Sequence, residues 1–162
     1  MKKIEFYTIG VYGSTEESFF QKLVENQIDT FCDIRQRRGV RGAKYAYVNS
    51  NRLQTKLAEL DIKYGYVSDL APAKEIRELQ KLADAQSGVL KRERTELGSV
   101  FKAEYNKQVL TTFDFDRFID QLEEIGAQKV VLFCVEEYPS ACHRSLVAEK
   151  LKEITQKTII DL

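Results

Sequence analysis

Cys142, His143 and Arg144 set a nucleophile, a titratable base and a fixed cation side by side. A thiol beside an imidazole suits nucleophilic or redox chemistry, and a guanidinium suits a phosphate or carboxylate. They follow an apolar run at 129–135 and a turn containing Pro139. Ser140 is the predicted N-cap of a helix over 140–154, which puts all three residues in its first turn. Free backbone N–H groups and the positive end of the dipole meet there, favouring an anion and a lowered thiol pKa. Two basic residues oppose that dipole, at roughly 0.3–1 kcal/mol per exposed charge. Arg144 should therefore pair with Asp33 or Glu136, or help hold an anionic ligand. Cys142 is the candidate nucleophile or redox thiol, His143 its tuner, and Asp33 or Glu136 an acid, base or orienting group.

Asp33-Ile34-Arg35 is the second constellation. Strand alternation puts Asp33 and Arg35 on one face and Cys32 and Ile34 on the other. A structural Asp–Arg pair is the bland alternative to a ligand contact. Residues 34–58 then hold seven basic side chains (Arg35, Arg37, Arg38, Arg41, Lys44, Arg52 and Lys56) and no acidic one. Tyr45 and Tyr47 interleave with them, and Gly39 and Gly42 permit close backbone approach. This is the composition of a loop facing phosphate or nucleic acid, with rings available for stacking. The expected ligand-binding set is Arg35, Arg144, Gly10, Tyr12, Arg38, Arg41 and Tyr45.

Cys134, Cys142 and His143, with Cys32, are also candidate metal ligands. The spacing C-x7-C-H fits no standard zinc or iron–sulfur pattern, so no metal ligand and no cofactor are assigned. Nor is the segment a phosphatase loop of the C-x5-R type, because Ala148 stands where the arginine belongs.

These residues need elements to place them. Strands are predicted at 4–10, 28–34, 62–67, 129–135 and 158–162 from their β-branched, aromatic or continuously apolar character. Helices are predicted from a Ser14/Glu17 capping box through Phe19, Phe20, Leu23 and Val24, and at 51–60, 74–85, 114–124 and 140–154, with 91–112 helical. Alternating strands and helices imply right-handed crossovers and a mostly parallel sheet. The expected fold is one α/β domain over 1–162, its sheet flanked by helices in Rossmann-like layers, with extra helices in mid-chain. Ligands of such sheets bind beyond the strands' carboxyl ends. Gly10 to Gly13, Asp33 to Arg35 and Cys134 to Arg144 all follow strands and should share that edge.

Composition bounds the rest. The 162 residues carry 25 Lys plus Arg and 25 Asp plus Glu, with 43% hydrophobic residues. That excludes a disordered chain. No run approaches the ~18 apolar residues of a membrane span. The first ten residues lack the cleavage site of a signal peptide, and three cysteines are too few for a disulfide framework, so a cytoplasmic location is expected. Zero net charge hides an asymmetry: outside 34–58 the chain has 18 basic against 25 acidic residues.

Thr8-Ile9-Gly10, Asp33-Ile34-Arg35 and Cys134-x-Glu136-x-x-Pro139-x-x-Cys142-His143-Arg144-Ser145-Leu146-Val147-Ala148-Glu149 together resemble the large bacterial domain of unknown function 488. The resemblance covers essentially the whole chain. Many members carry His and Ser after Thr-Ile-Gly, where this chain has Val11 and Tyr12, so no histidine role transfers to that loop. The resemblance implies a compact cytoplasmic α/β domain whose Cys-His-Arg and Asp-x-Arg motifs face a shared site. It implies no reaction.

The expected function is binding of an anionic ligand, phosphate-bearing or nucleic acid, at the sheet's carboxyl edge, with thiol-dependent chemistry at Cys142. A nucleic-acid module without catalysis through 35–56, a metal-dependent redox site, and an interaction domain are the alternatives. No membrane partner is expected.

Overall fold

A computed structural model describes residues 3–88, 97–135 and 142–162. Five strands, β1 (Glu5–Ile9), β2 (Thr30–Asp33), β3 (Lys63–Tyr66), β4 (Lys129–Phe133) and β5 (Ile160–Asp161), form one sheet in the order β3-β2-β4-β1-β5. Every described pairing is parallel, as the alternation of strands and helices predicts. β4 lies at the centre, and Val130, Val131, Leu132 and Phe133 are fully buried there. That position explains its unbroken apolar run, since a central parallel strand is covered on both faces. Each such side chain contributes roughly 1.5–3 kcal/mol by leaving water.

The helices are α1 (Glu16–Glu25), α2 (Ser50–Glu59), α3 (Lys74–Ser87), α4 (Ser99–Tyr105), α5 (Phe115–Glu124) and α6 (His143–Thr155). Among the described residues, none is long and apolar enough to cross a membrane. Phe19 of α1 packs on Phe31 and Phe133, fixing α1 to the sheet face that also carries Asp33. The capping box of α1 lies one residue beyond the predicted one. Thr15 Oγ1 accepts from Ser18 N at 3.1 Å and Ser18 Oγ accepts from Thr15 N at 2.9 Å. Ser14 instead serves the loop, its carbonyl accepting from the Tyr47 hydroxyl. Within the predicted helical stretch 91–112, α4 runs into a π-helical turn at Asn106–Leu110, and 91–96 lie outside the described residues.

The carboxyl ends of β1, β2 and β4 are adjacent, and the chain leaving them is laced together. Cys134 N donates to Ile9 O at 3.3 Å, Ile34 N to Phe133 O at 3.2 Å, and Val11 N and Tyr12 N to Val135 O at 3.0 and 2.9 Å. The described parts of the three segments picked out by the sheet rule therefore meet at one edge.

Candidate functional site at the carboxyl edge

Asp33 ends β2, and its carboxylate meets Arg35 two residues on. Arg35 Nε donates to Asp33 Oδ1 at 2.9 Å and Arg35 Nη2 to Asp33 Oδ2 at 2.8 Å, a bidentate pair. The Tyr64 hydroxyl on neighbouring β3 donates to the same Oδ2 at 2.7 Å. Asp33 is thus committed to Arg35 and Tyr64 rather than to Arg144, the first partner the sequence suggests for that arginine. The Arg35 guanidinium also lies over the Phe133 ring, 4.7 Å from its centroid. Both members of the pair are buried, yet Arg35 Nη1 has no hydrogen-bond partner among the described residues.

Across the strand, the other motif is built around α6. The helix begins at His143, so Cys142 is its N-cap and His143 and Arg144 are its first two residues. The start falls later than the predicted 140. Ser140, the predicted N-cap, and Glu136, the predicted acid or orienting group, lie outside the described residues. His143 Nε2 donates to Ile34 O at 2.8 Å, tying the Cys-His-Arg motif to the Asp-x-Arg motif through the backbone. A carbonyl only accepts, so the neutral ring carries its lone pair on Nδ1. Nδ1 faces Cys142 Sγ at 3.6 Å. Arg144 Nη1 donates to Cys134 O at 3.5 Å, and the Arg144 side chain is fully buried.

Burial pushes the Cys142 thiol up to about 11, reinforced by a hydrogen bond with Cys134 and only partly offset by His143. The lowered pKa expected of a helix start is reversed, because Cys142 is 1% exposed and desolvation outweighs what His143 returns. Burial likewise pushes Cys32 up to about 12, with neighbouring Asp33 adding to it. Cys134 Sγ, Cys142 Sγ and a His143 ring nitrogen lie within 4.8 Å of one another. Cys32, the fourth candidate ligand, is not in that group.

The basic segment becomes a loop closed on itself. Asn49 Oδ1 accepts from Val40 N at 2.7 Å, and Ser50 N donates to Arg38 O at 2.8 Å. Arg37, Arg41 and Lys44 are exposed, and Gly42 at the tip has φ +81°. Arg38 lies over Tyr66, 4.3 Å from the ring centroid, and its guanidinium also bonds the Tyr64 hydroxyl. Arg52 is drawn off to Glu16 at 2.9 Å, and Lys56 to Glu59 at 3.7 Å. Tyr45 and Tyr47 are not free to stack. Both are buried, with the Tyr45 hydroxyl accepting from Gly13 N at 2.9 Å and Tyr47 packed on Phe19 and Phe20. Gly10 is buried at the end of β1, and half-buried Tyr12 packs on Tyr45 with centroids 5.2 Å apart.

Three contributors escape a reading of the sequence. Tyr64 and Phe133 flank the Asp33–Arg35 pair only because β3 and β4 sit on either side of β2. Tyr105 packs on His143 at 5.6 Å between centroids, its hydroxyl held by Leu70 O. No motif marks any of them, since each contact depends on strand order or helix packing.

No curated protein and no solved structure matches the chain. The family model described as "Domain of unknown function DUF488" matches residues 15–151, a span that holds both the Asp33–Arg35 pair and the Cys142–Arg144 helix start. The chain belongs to the DUF488 family.

Proposed function

We propose that this domain binds an anionic, phosphate-bearing ligand at the carboxyl edge of its sheet, with Arg35 as the interior donor. The supporting observation is Arg35 Nη1, a buried N–H donor without a partner among the described residues, on a guanidinium otherwise fixed by Asp33 and Phe133. Leaving such a donor unmade costs roughly 1–3 kcal/mol, and an anion's oxygen would recover it. Arg38 joins Arg35 through Tyr64 and Asp33, and exposed Arg37, Arg41 and Lys44 extend the same positive sign outward. The start of α6 adds further donors: His143 ties it to Ile34, next to Arg35, and Arg144 bonds the Cys134 carbonyl after β4.

Nucleic acid through 35–56 is the second reading, favoured by the exposed arginines of the loop. Burial of Tyr45 and Tyr47 removes the stacking platform a single strand would use, so phosphate contact is the better supported. A resting thiol at about 11 is protonated at neutral pH, which makes binding the primary role and thiol chemistry at Cys142 dependent on what the site holds.

Titration calorimetry with inorganic phosphate and pyrophosphate at low salt tests the reading. Saturable binding is expected, weakening as salt rises. Arg35→Lys keeps a cation for Asp33 but cannot present Nη1, and should weaken binding about tenfold or more, the equivalent of about 1.4 kcal/mol. A folded Arg35→Lys protein that binds as tightly as the parent would reject the assignment, as would a parent that binds neither anion.

A further inference from the structure

We propose that Cys134, Cys142 and His143 form a metal site for a zinc-class divalent ion. Three observations carry it. The two sulfurs and the imidazole nitrogen lie within 4.8 Å of one another, and all three residues are buried. The imidazole is set for ligation: Nε2–H is held by the Ile34 carbonyl at 2.8 Å, leaving the Nδ1 lone pair on the side of the sulfurs. Metal-ligating histidines are commonly oriented in this way, by a backbone carbonyl on the other ring nitrogen. The third is a length. Metal–sulfur and metal–nitrogen bonds of about 2.3 and 2.05 Å at a tetrahedral angle put sulfur and nitrogen about 3.6 Å apart. Cys142 Sγ and His143 Nδ1 are 3.6 Å apart.

Charge agrees with the geometry. Two thiolates and a neutral imidazole around a divalent cation sum to zero, which suits a buried site. The donor set is soft and nitrogen–sulfur in kind, as zinc takes and magnesium or calcium does not. It comes from two elements with little freedom: Cys134 directly follows central β4, and Cys142 and His143 are the N-cap and first residue of α6. Chain spacing argues against a metal because seven residues separate the cysteines, but the strand end and the helix start bring them together. Among the described residues the group supplies three ligands, the number a catalytic zinc site takes from its protein.

The site does not rest on the anion reading, and its test contains no phosphate. Titrating reduced, metal-free protein with Co²⁺ should yield thiolate-to-cobalt charge-transfer absorption and tetrahedral visible bands, saturating at one ion per chain and abolished by Zn²⁺. Cys134→Ala and Cys142→Ala should each remove or sharply weaken the charge-transfer band, while Cys32→Ala retains it. His143→Ala should lower affinity at least tenfold. Absence of the band in the parent, or its persistence in Cys134→Ala, would overturn the site. Should the variants fail to fold, X-ray absorption of the zinc-loaded parent decides. Two sulfurs at about 2.3 Å are expected, and a shell of oxygen and nitrogen alone would refute the proposal.

Discussion

At the scale of single residues, the carboxyl edge is governed by what burial does to charge. Asp33 and Arg35 are 0% and 3% exposed, so the two buried charges depend on each other for compensation. Asp33→Asn should therefore cost about 3–5 kcal/mol in urea unfolding, since it strands a buried guanidinium. Asp33→Asn combined with Arg35→Met should cost much less than the two single changes added, and strict additivity would show that the pair is not the unit. The cysteines follow the same logic. All three are buried thiols outside any disulfide, and Cys32 and Cys142 are pushed to about 12 and 11. A thiol reagent at mildly alkaline pH should modify the folded, metal-free protein far more slowly than the unfolded chain. Rapid labelling of one native cysteine would reveal an open, activated thiol instead. The clash between a helix dipole and two basic residues was visible in the sequence at His143 and Arg144. The bonds to Ile34 and Cys134 were not, because Ile34 lies 109 residues from His143 and Cys134 meets Arg144 only once the strand end and the helix start are packed together.

At the scale of elements, periodicity was a good guide to type and a poor one to ends. Strands β1 to β4 lie within their predicted ranges, because β-branched and aromatic residues run in short bounded stretches there. α3 starts at Lys74 as predicted, whereas the starts of α2 and α5 moved by one residue and that of α6 from 140 to 143. For α1 the reason is local: Ser14 and Glu17 have the spacing of a capping box, but so do Thr15 and Ser18, and the chain caps with the second pair. Ser14's carbonyl bond from Tyr47 helps select that register. Thr15→Ala should cost about 1 kcal/mol in thermal or denaturant unfolding, whereas Ser14→Ala should be nearly silent. Equal losses would mean that the cap is shared. Strand order was beyond reach of the pattern altogether. Placing β4 between β1 and β2 is what gathers Ile9, Ile34 and Cys134, and periodicity carries no information about which strands are neighbours.

At the scale of the whole molecule, zero net charge is the sum of a basic loop and an acidic remainder, and the loop is held to the fold by tyrosines. Tyr64 bridges Asp33 and Arg38, and Tyr47 bonds Ser14 beneath the loop. Burial raises both hydroxyls to about 12; the Asp33 carboxylate adds to Tyr64, and Tyr45 and Glu16 add to Tyr47. A group whose folded pKa lies above its unfolded value binds more protons when folded, so stability must fall as pH rises between the two. With an unfolded tyrosine near 10, the stability these groups contribute is complete below about pH 10 and lost toward about 12. Urea midpoints should hold steady up to the lower limit and then drop steeply, with near-ultraviolet phenolate absorbance appearing alongside unfolding. Tyr64→Phe and Tyr47→Phe should each lower stability modestly at neutral pH, by about 1 kcal/mol for the lost hydrogen bond, yet make the alkaline fall shallower. The opposing signs distinguish this mechanism from general charge repulsion, which acts on the whole surface and would leave the alkaline slope of both variants unchanged. If the slope is unchanged, the loop is not held by these hydroxyls. If it flattens in both, the tyrosines that fasten the positive loop to the sheet also set the pH at which the fold lets it go.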